Sequence, residues 1–431
     1  MKKQLTFLLI TLFLASCKFP ITSNPSQSNS SNSNVESSSN ESVESSSLTN
    51  ENTESTSSNS NGIEESSSPS LNDNSDLSES SPSEETSSES TPSEETSSES
   101  TPSEEIKESE LQVISLEMRG TYGDSFIIKY NDFEILVDAG TTTDKSYVQD
   151  ALEEFVEDNT LDILMVSHLH ADHIGSMTST SFFNEIGITV NTFVDPGTTP
   201  TTATATNYIS MRNSFVSKGS KHYTYYDILN DSSIDTIWYL DEEHKAYMQF
   251  FDTGTISKPN TTPSDMNNSS IAFAVNYLNN KWLFSGDISS SSESTLVDNI
   301  KKINPNYFKD SDHVVVKANH HGSNGSNSEK FFAFTKPDII FITAGIISDN
   351  KKNQKITKQH PYANALSRMK KYTKEVYWSS INGLTIFTST GNEVSIDARG
   401  RTVDYYYNGK IVSRDEERYI TIFNSKWYLM M

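Results

Sequence analysis

The stretch Ser167-His168-Leu169-His170-Ala171-Asp172-His173-Ile174-Gly175 places three imidazoles and a carboxylate within six residues. His168 and His170 stand two apart, so in an extended segment both project to one side and can grip one ion. Asp172 and His173 follow a turn and can reach a second ion close by. Neutral imidazole and carboxylate suit Zn²⁺, Mn²⁺ or Fe, whereas the lack of thiolates disfavours Cu(I) or a structural zinc. Five of the nine histidines fall in this motif and in the pair His320-His321, a concentration that a merely solvated loop does not require. His222, His244 and His313 show no ligand spacing and read as ordinary histidines.

The elements that must position these residues are legible around them. Leu161–Ser167 reads as a fully buried strand feeding the histidine loop, and Phe133–Gly140 is a strand running into a turn. Gln112–Leu116 and Ser125–Tyr130 read as further strands, with Gly120 and Gly123 between them, and Val148–Glu157 reads as a helix. Ile271–Val275 is an apolar strand preceded by Asn268-Ser269-Ser270, which either lines a cleft or makes a turn. Past residue 400 the chain is aromatic, with a hairpin signal at Tyr405-Tyr406-Tyr407-Asn408-Gly409 and strand-like Tyr419–Phe423 and Trp427–Leu429.

The His-x-His-x-Asp-His pattern resembles that of the metallo-β-lactamase superfamily, and other motifs follow in that family's order. Val137-Asp138-Ala139-Gly140 resembles its strand-end turn, and Leu283-Phe284-Ser285-Gly286-Asp287 resembles the strand whose aspartate bridges two metals. Lys317-Ala318-Asn319-His320-His321-Gly322-Ser323 resembles the terminal histidine motif of one branch. Gly123-Asp124-Ser125, Asn267–Ser270 and His360-Pro361 agree as well, so the resemblance spans residues 111–398. That branch holds the soluble domain of ComEC-type DNA-uptake proteins and secreted lipoprotein relatives.

The resemblance implies an α/β fold, the four-layer αβ/βα sandwich, over residues 111–400, with 401–431 as an aromatic β extension. It implies two divalent metal ions, zinc foremost, with Mn or Fe as the other ions this ligand set admits. One ion would take His168, His170 and Asp287; the other would take Asp172, His173, Asp287 and His320. Where relatives often carry a further ligand, Thr192–Gly197 offers no histidine. Asp195, a water or a weakly held first ion are the alternatives there. Asp172 and Asp287 are expected to orient a hydrolytic water. His321, facing away from the ions, is expected either to contact a substrate oxygen or leaving group or to orient the metal site. His360 is expected at the site, following a segment rich in lysine (Lys351, Lys352, Lys355 and Lys358). Asp138, Asn268, Ser269 and Ser323 are expected to support the ligands or touch substrate.

The remaining sequence is address and tether. Lys2 and Lys3, the apolar run Leu5–Leu14 and Leu14-Ala15-Ser16-Cys17 resemble a bacterial lipoprotein signal over residues 1–16, with Cys17 as the lipidated first residue. Residues 17–110 are Ser-, Asn-, Thr-, Glu- and Pro-rich with a decamer repeated at Pro82–Thr91 and Pro92–Thr101. Residues 18–110 carry −18 of the chain's net −25, and such a composition buries too little apolar surface to offset chain entropy. A disordered acidic spacer on the extracytoplasmic face of the cell membrane is therefore expected, with no obligate protein partner. The single cysteine excludes an intramolecular disulfide framework, and the acidic balance argues against a protein that coats duplex DNA.

The expected activity is that of a binuclear metal-dependent hydrolase outside the membrane. A phosphodiester substrate comes first, with nuclease activity leading because the resemblance is to the DNA-uptake branch. A phosphodiesterase of cell-envelope phosphorylcholine or teichoic-acid groups is the alternative. A metal-containing binding module without chemistry is the rival from another class. True β-lactamase activity is disfavoured by the departure around Asp195.

Overall fold

A computed structural model of the chain describes residues 109–119, 122–345 and 360–402, with the backbone of 405–407 and 410–412. The signal segment, Cys17, the acidic spacer to residue 108, the lysine-rich segment and the strands expected after residue 418 lie outside the described residues.

The first sheet begins with β1 (Leu111–Ser115), β2 (Phe126–Tyr130), β3 (Phe133–Val137), β4 (Thr160–Met165), β5 (Thr189–Asp195) and β6 (Lys221–Thr224). The chain then builds the second sheet from β7 (Ile237–Tyr239), β8 (Ala246–Phe251), β9 (Ala272–Tyr277), β10 (Asn280–Phe284), β11 (His313–Lys317), β12 (Ile339–Ile342) and β13 (Glu375–Trp378). It returns to the first with β14 (Thr385–Ser389) and β15 (Val394–Ala398), giving the orders β15-β14-β1-β2-β3-β4-β5-β6 and β13-β12-β11-β10-β9-β8-β7. In each sheet one half is parallel, β3 to β6 and β10 to β13, and the other antiparallel.

Strand alternation sorts the apolar side chains into three cores, which define four layers. Phe126, Ile128, Met165 and Phe387 of the first sheet meet Phe250, Phe273, Trp282 and Phe341 of the second in a core between the sheets. Leu136, Leu164 and Phe193 turn the other way onto helices Lys145–Phe155 and Ala203–Val216. Leu283, Val316 and Ile340 likewise meet helices Ser290–Ile303 and Ala363–Met369. The expected four-layer α/β sandwich is the observed fold.

Tyr405–Tyr407 and Lys410–Val412 pair antiparallel as the hairpin signal anticipates. Arg401 is buried and the Thr402 backbone donates to Glu117, so attachment to the sandwich continues past residue 400. No helix among the described residues is long and apolar enough to cross a membrane.

Candidate metal centre

Apart from Asp124, which lies between β1 and β2, the chemically prominent side chains follow the carboxyl ends of strands from the parallel half-sheets, where open α/β sheets place their ligands. Asp138 follows β3, the histidine loop follows β4, Asp287 follows β10, Asn319–His321 follow β11 and Thr343 follows β12.

Asp287 is the hub. Its Oδ2 lies 3.3 Å from Nε2 of both His173 and His321, 3.8 Å from His320 Nε2 and 3.9 Å from His168 Nε2. Four imidazole nitrogens from two sheets thus converge on one buried carboxylate oxygen. Asp172 Oδ2 stands 3.4 Å from His321 Nε2, and His170 Nδ1 stands 3.0 Å from His168 Nε2. The six expected ligands are therefore brought together, with His321 among them.

Two close approaches shape the hub. Gly286 has φ +54°, and a Cβ there would fall 2.7 Å from Ser270 Cβ and 3.1 Å from Ser167 Cβ. Only glycine lets this turn pass between the histidine loop and β9. Ser270 Oγ in turn accepts from the Asp287 backbone N–H at 3.1 Å. At the opposite wall, His320 and His321 both have positive φ (49° and 51°), uncommon for side chains other than glycine. The usual alternation of neighbours fails there. His321 therefore faces the centre, contrary to the sequence expectation that it faces away.

Buried carboxylates hold the ligands from behind. Asp138 Oδ2 accepts from His173 Nδ1 at 2.8 Å and from Ser167 Oγ at 2.6 Å, and its Oδ1 accepts from the Ser167 N–H at 2.8 Å. Asp124 Oδ1 stands 3.1 Å from His321 Nδ1 and accepts from Thr343 Oγ1, while buried Lys317 pairs with its Oδ2. With Nδ1 fixed in both rings, Nε2 is the free donor atom aimed at the centre. Replacing Asp138 with asparagine is expected to weaken zinc binding by about 10–100-fold. Competition against a chromophoric chelator measures this, and unchanged affinity would reject the supporting role.

Charge follows geometry. Burial opposes a charged His173, but Asp287 and Asp138 push its imidazole well above its ordinary value. Burial likewise opposes charge on His321, where Asp287 and Asp124 prevail. Burial and the neighbouring His173 keep His168 neutral, with its lone pair available.

The donor set fits divalent ions. Nε2 of His173 and His321 and Oδ1 of Asp287 are buried without a hydrogen-bond partner among the described residues. Imidazole and carboxylate without thiolate is the ligand chemistry of zinc, manganese or iron sites. An ion bound there would displace the protons that His173 and His321 otherwise hold.

Asp195, one of the alternatives for a further ligand, is engaged elsewhere. Its Oδ2 accepts from Arg212 Nη1 at 2.6 Å and Tyr208 Oη at 3.0 Å. Its Oδ1 accepts from the Gly197 N–H at 2.7 Å and meets His222 Nε2 at 3.2 Å. His222, taken as ordinary from the sequence, belongs to this network. Ser269 and Ser323 build turns, Ser269 Oγ donating to Met266 O and Ser323 Oγ accepting from the Gly325 N–H, while Asn268 Oδ1 accepts from the Ser289 N–H 21 residues on. His360 does reach the centre's rim, its ring 5.2 Å from that of His320 and 5.0 Å from that of Tyr122. Asp124, Lys317 and Thr343 are the functional residues that the site expectation omits. The Gly-Asp-Ser and Lys-Ala-Asn stretches were the available signals for the first two.

A family model for the metallo-beta-lactamase superfamily matches residues 118–178, which carry Asp124, Asp138 and the whole histidine motif. That match places residues 118–178 with the metallo-β-lactamase superfamily. It is similar to ComE operon protein 3 of Bacillus subtilis (strain 168), 28% identical over 121 residues, which are 28% of this chain and 14% of that protein. Among solved structures, the metallo-beta-lactamase fold protein YhfI from Bacillus subtilis aligns with a TM-score of 0.39 and 12% identity, covering 65% of this chain and 100% of that one. The short form of human tRNase Z aligns with a TM-score of 0.32 and 13% identity, covering 54% of this chain and 92% of that one. Members of this superfamily are mostly metal-dependent hydrolases, and the buried cluster of Asp124, His173, Asp287 and His321 could hold a metal ion.

Proposed function

We propose that this chain is a phosphodiester hydrolase dependent on two divalent ions, acting on nucleic acid outside the cytoplasmic membrane, to which a lipid on Cys17 anchors it. The observation that carries the hydrolase reading is the convergence of four imidazole nitrogens on Asp287 Oδ2 within 3.9 Å. Divalent ions bound there supply Lewis acidity and lower the pKa of a water towards neutrality.

The protein's own groups divide the remaining work. Asp172 has a partly exposed side chain beside His321 and is placed to accept a proton from an incoming water. His360 at the rim has an Nδ1 without a hydrogen-bond partner among the described residues. Burial, reinforced by charge on His321 and His320, holds its pKa down at about 4, so at neutral pH it meets substrate as a neutral ring. The resemblance to the DNA-uptake branch supports a phosphodiester bond as the target.

The rim favours one alternative specifically. Tyr122 and Tyr362 meet the His360 ring edge-on at 5.0 and 5.1 Å. Such an aromatic rim suits a stacked base but also a quaternary ammonium group. A cell-envelope phosphorylcholine phosphodiesterase is therefore the second reading.

A screen of the metal-loaded full chain against single-stranded DNA, RNA, a phosphorylcholine ester and a β-lactam decides between them. Ion-dependent cleavage of DNA or RNA is expected. Turnover of the choline ester alone would move the assignment to the second reading, and turnover of the β-lactam alone would reject both. For the anchor, Cys17→Ala is expected to leave the membrane fraction or remain unprocessed. A processed variant that fractionates like wild type would sink that part.

A further inference from the structure

A second site lies at the other end of the sandwich. Where the edge strands β6 and β7 leave the two sheets unsealed, a cleft of about 630 Å³ opens between them. This is within the size range of small-ligand pockets, about 300–1,000 Å³. Asp162 and Ile163 of β4 line it, five or six residues before His168. At ~3.3 Å per residue of strand, that places it roughly 15–20 Å from the metal centre.

The walls are aromatic. Phe133, Tyr223 and Trp238 each pack partly against the core between the sheets and border the cleft. Trp238 is held in place by its Nε1–H, which donates to Asp235 O at 2.8 Å, and by Tyr223, whose ring meets it edge-on at 5.3 Å. Beside it Tyr239, 47% exposed, lies flat against His244 with ring centroids 3.6 Å apart. Tyr239 also lines the cleft, so its exposed ring is available there to a ligand.

The polar groups select the ligand. Asp162 and Asp235 offer acceptors and Lys221 offers donors, while Asn191 hydrogen-bonds Asp162 and keeps its carbonyl oxygen as a further acceptor. Two carboxylates disfavour an anionic ligand. For a cation the set is also poor, because Lys221 shares the cleft and Asp162 Oδ2 already accepts from the Glu134 N–H at 3.0 Å. What remains is a neutral ligand with an apolar face for the rings and an edge of hydroxyls for mixed donors and acceptors. A pyranose ring has that division. We propose that this cleft is a binding site for a neutral oligosaccharide, independent of the metal centre and of the reaction performed there.

Titration calorimetry and saturation-transfer NMR of the full chain with chitotetraose, cellotetraose and mannotetraose test the proposal. Binding of at least one tetrasaccharide is expected. Trp238→Ala should weaken it about tenfold or more, the usual loss on truncating an aromatic anchor. Tyr239→Ala removes an exposed ring without touching the core, so it keeps the test open should Trp238→Ala fail to fold, and it should weaken binding in the same direction. Asp287→Ala should bind like wild type. The proposal is overturned if none of the three sugars binds, if choline chloride binds and they do not, or if both ring variants bind as tightly as wild type. Loss of sugar binding in Asp287→Ala would place the sugar at the metal centre and overturn it too. None of these outcomes depends on which bond the metal centre cleaves.

Discussion

Asp287→Ala is expected to lose its metal ions and with them about a thousandfold or more of hydrolytic rate. The size follows from Lewis-acid stabilisation worth several kcal/mol, at about 1.4 kcal/mol per factor of ten. The specificity follows from position: no other carboxylate oxygen among the described residues has four imidazole nitrogens within 3.9 Å. Removing it should lower occupancy of both ions together, whereas His170→Ala should mainly affect the ion held by His168. Elemental analysis of protein purified without chelator reads the first effect, and turnover of the best substrate from the screen reads the second. Chelator treatment of wild type should reproduce the loss. Zinc or manganese should then restore wild type and leave Asp287→Ala inactive. Full metal content in the variant would reject the bridging role, and wild-type turnover with no metal bound would reject the metal-dependent hydrolase.

The ligands were legible in the sequence because they are local. His168, His170, Asp172 and His173 occupy a single loop, and Asp287 closes a recognisable Ser-Gly-Asp strand end. The sandwich was legible for a similar reason, since short apolar runs such as Ile163–Val166 mark strands buried on both faces. Of the groups that support the ligands, Asp138 was legible at its strand end, whereas the support of His321 is long-range and was not. Asp124 and Thr343 meet across 219 residues of chain, and Asp124 reaches His321 across 197. Nothing in the spacing of either signals the pairing. His321 was misread because period-two reasoning assumes ordinary extended backbone, and the left-handed conformation of two successive histidines breaks it. Of the two readings open for Ser269, the turn is the one its hydroxyl makes, and Ser323 likewise bonds locally, whereas Asn268 ties its loop to Ser289 across 21 residues.

Asp195 gives the other large effect, on stability rather than chemistry. Its carboxylate is fully buried, and burial alone would raise its pKa. The hydrogen bond to His222 and the Arg212 guanidinium outweigh burial and hold it well below the usual carboxylate range. Asp195→Asn leaves Arg212 buried without its counter-charge, which costs about 3–5 kcal/mol when a buried pair is broken from one side. Urea unfolding should show the free energy of unfolding, extrapolated to water, falling by that amount. A group with a depressed folded pKa contributes fully above its unfolded value, about 3.9 for aspartate, and loses the contribution as pH falls through the folded value. The stability gap between wild type and Asp195→Asn should therefore be constant from neutral pH to about 5 and narrow below about 4. Pairing the change with Arg212→Met removes both charges and should recover much of the loss, since apolar replacements of a buried pair are often neutral. Metal content separates this role from that of a ligand. Asp195→Asn should retain both ions while unfolding more easily, whereas loss of one ion with unchanged stability would make Asp195 a ligand and its contact with Arg212 incidental.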